Sequence, residues 1–134
     1  MARTKAHEMF ERDTASRSLG IELISAGDGA AVVRMRVGAE MVNGHGMTHG
    51  GFVFLLADTA FACACNSHGP VTVAAGADVV FLRPTAEGDL LEAHARERSV
   101  SGRSGIYDVT VTRDGDVVAE FRGRSRTISP GRPA

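Results

Sequence analysis

Apolar and polar residues alternate with a period of two on both sides of one stretch where they do not. Ala31, Val33, Met35 and Val37 alternate with Arg34 and Arg36, and Leu91, Ala93, Ala95 and Glu97 with Glu92, His94, Arg96 and Arg98. Tyr107, Val109 and Val111 oppose Asp108, Thr110 and Thr112, while Ala119, Phe121 and Gly123 oppose Glu120, Arg122, Arg124 and Arg126. Such alternation marks strands with one covered and one wet face. It predicts strands over 30–37, 90–99, 104–113 and 117–128, and Ile21, Leu23 and Ile24 suggest another over 19–25. Residues 71–82 are apolar almost throughout and read as a long buried strand, with Gly76 as a bulge or a point of close approach. Ala26-Gly-Asp-Gly29 and Arg113-Asp-Gly-Asp116 are hairpin signals. Residues 5–18 read as one weakly amphipathic helix on the outside of the domain, and 129–134, with two prolines, as a loose tail.

The exception runs from Gly51 to Asn66, where Phe52, Val53, Phe54, Leu55, Leu56, Ala57, Ala60, Phe61, Ala62, Cys63, Ala64 and Cys65 leave no polar stripe at helical spacing. A helix apolar on every side is wrapped by other structure or lies in a membrane. This one is shorter than the ~20 residues a membrane span needs, so it is a core helix, stopped near His68-Gly69-Pro70. The order is therefore two strands, one long helix and four strands with antiparallel connections. A single sheet with one apolar face must wrap something, and the helix is the only element of the right size. No repeat, low-complexity segment or linker divides the chain, so 1–134 reads as one domain.

Charge narrows the function classes. With 15 basic and 16 acidic residues the net charge is −1, which points neither to nucleic acid nor to an anionic membrane surface. Cys63 and Cys65 face different sides of the helix, cannot bond to each other, and look like small core residues of a reducing compartment. The polar start, Met1-Ala-Arg-Thr-Lys-Ala-His-Glu, lacks a hydrophobic signal core, and the expected location is the cytoplasm.

One carboxylate, Asp58, sits in the middle of the apolar helix. Removing its hydration is costly unless it is paired, so it is either a structural residue bonded to a neighbouring loop or a functional one. His49-Gly50-Gly51 stands where the helix starts, and a helix start offers free N–H donors and partial positive charge to an anion or a developing oxyanion. Asp58 lies eight residues beyond Gly50, roughly 12 Å along a helix axis, so one helix cannot bring both to one reacting carbonyl. Two antiparallel copies can, which predicts a site shared across a two-fold homodimer. His45 and His49 lie in a glycine-rich loop, and Cys63 and Cys65 do not converge, so no metal site is expected.

At Asn43-Gly-His-Gly-Met-Thr-His49-Gly50-Gly51 followed by Asp58, the sequence resembles the PaaI-type acyl-CoA thioesterases of phenylacetate degradation. The resemblance is dense from Val42 to Asn66 and extends to Phe81-Leu-Arg-Pro84 and Glu87-Gly-Asp89. It implies an α+β hotdog fold, a long central helix wrapped by a largely antiparallel six-stranded sheet. Asp58 would be the catalytic base or nucleophile, and Gly50, with Gly51 beside it, would supply the amide that polarises the thioester carbonyl. Asn43 and His49 would orient the thioester and the attacking water. The family also implies an acyl-CoA substrate such as phenylacetyl-CoA or a hydroxylated relative, no cofactor beyond the coenzyme A of that substrate, and homodimers that pair into homotetramers.

Around these, His45 is expected near the substrate or dimer contact and Phe54 as a candidate wall of an acyl pocket. Arg83, after the apolar strand, and Arg103, in a Ser-Gly-Arg-Ser turn, are candidate partners for the phosphates of coenzyme A, since a guanidinium suits phosphate bidentately. No Gly-x-Ser-x-Gly elbow supports an α/β-hydrolase route. A hotdog hydratase or dehydratase, or a non-catalytic acyl-CoA-binding protein on the same fold, are the alternatives.

Overall fold

The computed structural model describes residues 3–128; the tail expected over 129–134 lies outside them. Six antiparallel strands form one sheet: β1 (Glu22–Gly27), β2 (Ala30–Arg36), β3 (Thr72–Phe81), β4 (Leu90–Ser101), β5 (Ser104–Arg113) and β6 (Asp116–Thr127), in the order β1-β2-β4-β5-β6-β3. The period-two residues face as the alternation predicts. Val33, Met35, Leu91, Ala93, Val109, Val111 and Ala119 are fully buried, while the arginines between them point outward. The β1–β2 and β5–β6 turns are two-residue Asp-Gly loops with both residues at positive φ (Asp28 and Gly29, Asp114 and Gly115), the geometry that matches strand twist in a tight hairpin.

Around this sheet's inner face lies α3 (Gly50–Asn66). Helix and sheet approach closely where Gly123 faces Phe61, because a Cβ on Gly123 would stand 2.7 Å from the ring. Phe61 itself packs between Tyr107 and Phe121, with ring centroids 5.7 and 5.9 Å away. The C-terminal end of α3 is fastened by buried Asn66. Its Nδ2 donates to the Thr72 carbonyl (2.9 Å) and its Oδ1 accepts from the Thr72 N–H (3.0 Å), so the helix end is tied to the start of β3.

Four expectations are corrected. The N-terminal helix is two helices, α1 (Lys5–Glu11) and α2 (Thr14–Ser18), because the Asp13 carboxylate caps the second by accepting from the Ser16 N–H (3.0 Å). The first strand starts and ends later than expected, with a bulge between Leu23 and Ser25, and Ile24 is nearly half exposed because successive side chains of a strand point to opposite faces. β3 is not buried: it is an edge strand bulged between Ala74 and Gly76, and Val80, Phe81 and Leu82 after it are each more than half exposed. Finally, α3 is not wrapped all round. Gly51, Leu55, Asp58 and Ala62, spaced four, three and four apart, form one stripe left exposed or half-buried.

Candidate active site

The loop before α3 is built from its own polar groups. Asn43 Oδ1 accepts from the His45 and Met47 N–H groups (2.9 and 3.2 Å), and the Asn43 N–H donates to the Met47 carbonyl (2.7 Å). Thr48 is clamped to the β3–β4 connection: its N–H donates to the Thr85 carbonyl (2.8 Å), and the buried Thr85 hydroxyl donates to Thr48 Oγ1 (2.7 Å). His49 then caps the helix, its Nδ1 accepting from the Gly51 N–H at 2.9 Å.

That cap decides which amide is free. The His49 N–H goes to the Met41 carbonyl, the Gly51 N–H to His49 Nδ1 and the Phe52 N–H to the His49 carbonyl. The Gly50 N–H has no acceptor among the described residues, and it stands at the positive end of a 17-residue helix. Glycine lets the Phe81 ring lie close over this amide, since a Cβ on Gly50 would stand 2.9 Å from Phe81 Cζ and push the ring aside.

Gly50 opens onto a cleft of about 470 Å³ lined by Asn43, Met47, Thr48, Val53, Phe81, Leu82, Arg83, Pro84, Thr85 and Val118. Of the residues singled out in the sequence, the cleft gathers Asn43, Gly50 and Arg83; Arg83 also reaches Asp116 at 3.7 Å. Phe54 does not line it and instead packs edge-on against Phe121, centroids 5.2 Å apart. His45 is exposed on the loop, and Arg103 lies in the β4–β5 turn, beside the Thr72 end of β3 rather than the Phe81 end. Met47, Thr48, Thr85 and Val118 were not foreseen. The Thr48–Thr85 clamp joins positions far apart in sequence, and Thr85 falls between the two segments, 81–84 and 87–89, to which the resemblance extends.

Asp58 stands apart from this cleft, two turns further along α3 on the half-open stripe. Its carboxylate accepts no hydrogen bond from any described residue, which leaves the structural reading without a partner loop. Burial first, and the Asp13 charge second, hold its carboxyl above the ordinary carboxylate range. Cys65, on the same helix, is kept a neutral thiol by burial, which pushes it up to about 12. One chain thus carries a free amide donor and an unengaged carboxylate that its own helix keeps apart.

A single sheet curled around one helix, with such a donor at the helix start, is the hotdog arrangement of thioesterases. The thioesterase superfamily pattern matches residues 45–120, and the chain belongs to that superfamily. More particularly, it is 48% identical to the acyl-coenzyme A thioesterase PaaI of Escherichia coli over 124 residues, covering 92% of this chain and 89% of that relative. The solved structure of that E. coli protein, from the phenylacetic acid degradation operon, superposes with a TM-score of 0.90 at 47% identity over 92% of this chain and 91% of the other. A mutant structure of the phenylacetic acid degradation protein PaaI from Thermus thermophilus superposes with a TM-score of 0.84 at 38% identity, covering 87% of this chain and all of that one.

Proposed function

We propose that this protein is an acyl-CoA thioesterase hydrolysing phenylacetyl-CoA or hydroxyphenylacetyl-CoA-like thioesters at a site shared by two protomers. The observation that carries the reading is the pairing, on one helix, of an unacceptored Gly50 N–H with an unengaged Asp58 carboxylate about 12 Å further on. Similarity to a PaaI thioesterase from a phenylacetic acid degradation operon supports the aryl-acetyl choice.

The second protomer completes the site by lying antiparallel along the open edge of β3. The two edges of the sheet differ in a way that favours this one. Both edge strands are bulged, but β1 is only six residues long, whereas β3 is ten residues long and carries Val73, Val80 and Phe81 exposed. Two-fold pairing there sets two α3 helices side by side, each presenting Gly50 to the other's Asp58 across the half-open stripe.

In that site the Gly50 N–H donates to the thioester carbonyl oxygen. Asp58 of the other protomer takes a proton from water as its oxygen bonds to the carbonyl carbon, or attacks that carbon itself and is then released by water. Collapse of the oxyanion breaks the C–S bond, and the departing thiolate takes up a proton, giving the carboxylic acid and free coenzyme A. His49 and Asn43 hold the loop and helix start in place, and Arg83 stands at the cleft mouth for the phosphates. The test is thiol release from a panel of aryl and fatty acyl-CoAs by the wild type and Asp58→Asn. Cleavage of aryl thioesters that is lost in a folded variant supports the reading; binding without cleavage makes this an acyl-CoA-binding protein instead.

A further inference from the structure

The polar groups on the wall of the Gly50 cleft divide unevenly into engaged acceptors and free donors. Asn43 Oδ1 takes two N–H groups, the Thr85 carbonyl takes the Thr48 N–H, and the Pro84 carbonyl takes Arg113 Nη1 at 3.0 Å. The Gly50 N–H, by contrast, has no acceptor among the described residues, and Arg83 brings a guanidinium to the same wall.

Thr48 belongs with the free donors. It is only 8% exposed, and its Oγ1 accepts from the Thr85 hydroxyl at 2.7 Å, so the Thr85 hydrogen lies between the two oxygens. The hydrogen of Thr48 itself therefore points elsewhere, and it meets no acceptor among the described residues. Other buried hydroxyls behave differently. Of the six buried Ser and Thr residues, Ser16 donates to Asp13, Thr59 to the Leu55 carbonyl, Thr72 to the Pro70 carbonyl and Thr85 to Thr48. Ser125 lines a separate pocket with Cys65 and His68, at the other end of α3. Thr48 alone combines an uncommitted hydrogen with a place in the Gly50 cleft. A hydroxyl so deeply set is unfavourable without an acceptor, and a ligand filling the cleft can supply one. Its oxygen is also fixed in advance, because threonine is stiff about χ1 and Thr85 holds both the Thr48 N–H and Oγ1.

We propose that Thr48 is a substrate-binding residue whose hydroxyl, set by Thr85, donates to a carbonyl oxygen of the acyl-CoA held in the cleft. The proposal rests on the acyl-CoA thioesterase reading and names a further group of the same site. A wall of donors (Gly50 N–H, Thr48 O–H and the Arg83 guanidinium) fits a ligand whose polar atoms are carbonyl and phosphate oxygens. Met47, Val53, Leu82 and Val118 supply the apolar surface between them. Two carbonyls lie near the reacting sulfur of an acyl-CoA, the thioester's own and the first amide of the pantetheine arm, and both accept without donating at that oxygen. The bond also makes the cleft selective, since an analogue lacking the carbonyl leaves the buried hydroxyl unpaired.

The experiment measures affinity by isothermal titration calorimetry in the Asp58→Asn background, where the ligand survives. The ligands are phenylacetyl-CoA and its thioether analogue S-(2-phenylethyl)-CoA, in which CH2 replaces the thioester carbonyl. Thr48→Val and Thr48→Ala remove the donor and Thr48→Ser keeps it, whereas Thr85→Val breaks the same hydroxyl pair and leaves the Thr48 hydrogen in place. The expected result is that both donorless variants bind phenylacetyl-CoA about five- to tenfold more weakly, while Thr48→Ser and Thr85→Val lose no more than about twofold. In the otherwise wild-type enzyme, kcat/KM should fall by the same factors. Unchanged thioether affinity in the donorless variants assigns the bond to the thioester oxygen, and a parallel loss assigns it to the amide carbonyl. Donorless variants that bind as tightly as the parent, or a Thr85→Val loss as large as theirs, reduce the pair to a structural clamp and overturn the inference while thiol release by the wild type keeps the thioesterase reading standing. A wild type that neither binds nor cleaves acyl-CoA removes that reading and the inference together.

Discussion

Asp58 is the one charged residue of α3, and burial and Asp13 both raise its proton affinity. Two consequences follow, with opposite signs for activity and stability. The proposed mechanism uses the ionised carboxylate, so the rate should fall as pH drops through a pKa above the ordinary aspartate value. A pKa raised on folding means that ionising Asp58 opposes folding: the penalty is absent below the unfolded carboxylate pKa and fully present above the folded one. Asp58→Asn removes it, so at neutral pH the variant should melt at or above the wild-type temperature while kcat falls by about 10²-fold or more. A variant that loses activity and also melts earlier at neutral pH would contradict this. Asp58, Gly50, His49 and Asn43 could be picked out as candidates in the sequence because a carboxylate in an apolar run and glycines at a helix start violate local pattern. The docking of α2 on α3 could not, since Ser16 looks ordinary until it and Thr59, 43 residues apart, are seen to touch. Phe54 illustrates the converse, because an aromatic in a core helix carries no mark of whether it faces a ligand or Phe121.

Among the elements, the period-two strands and both Asp-Gly hairpins were readable because their signal is local. β3 was misread as buried because an apolar strand under a second layer and an apolar edge awaiting a partner have the same composition. Its geometry supplies a test. Thr72 turns its N–H and carbonyl away from β6 to Asn66, so Ala74, two residues on, presents its own groups to the open edge. Ala74→Pro should therefore spare the β6 ladder and block pairing along the edge, since proline is tolerated on edge strands but cannot donate. The expected result in analytical ultracentrifugation is a folded monomer with hydrolysis largely lost; a dimer with full activity would place the interface elsewhere. The helix–sheet contact makes a separate demand. Gly123→Ala drives a methyl to 2.7 Å from the buried Phe61 ring, and such overpacking costs about 1–3 kcal/mol, measurable by denaturant unfolding. An unchanged midpoint would mean that Phe61 yields freely.

At the scale of the whole molecule, the chain is complete as a fold and, on the shared-site proposal, incomplete as a site. Among the described residues every buried side-chain polar atom has a hydrogen-bond partner, yet the free Gly50 amide and the unengaged Asp58 carboxylate lie on one rigid helix that holds them apart. On the shared-site proposal the spacing of eight residues calls for a second copy, and the strand order, which puts β3 at an edge, offers it a place that the sequence did not indicate. Complementation between two dead chains is the direct test. One chain carries Asp58→Asn. The other carries Gly50→Pro, which removes the amide donor at a first helical position where proline is well accepted, together with Phe81→Ala to make room for the ring. Each is expected to be inactive alone. Co-expressed in equal amounts, their mixed dimers hold one intact site, with Gly50 from the first chain and Asp58 from the second, so total activity should return to about a quarter of wild type. Mixed dimers that form and remain inactive would show that the amide and the carboxylate do not meet across the interface.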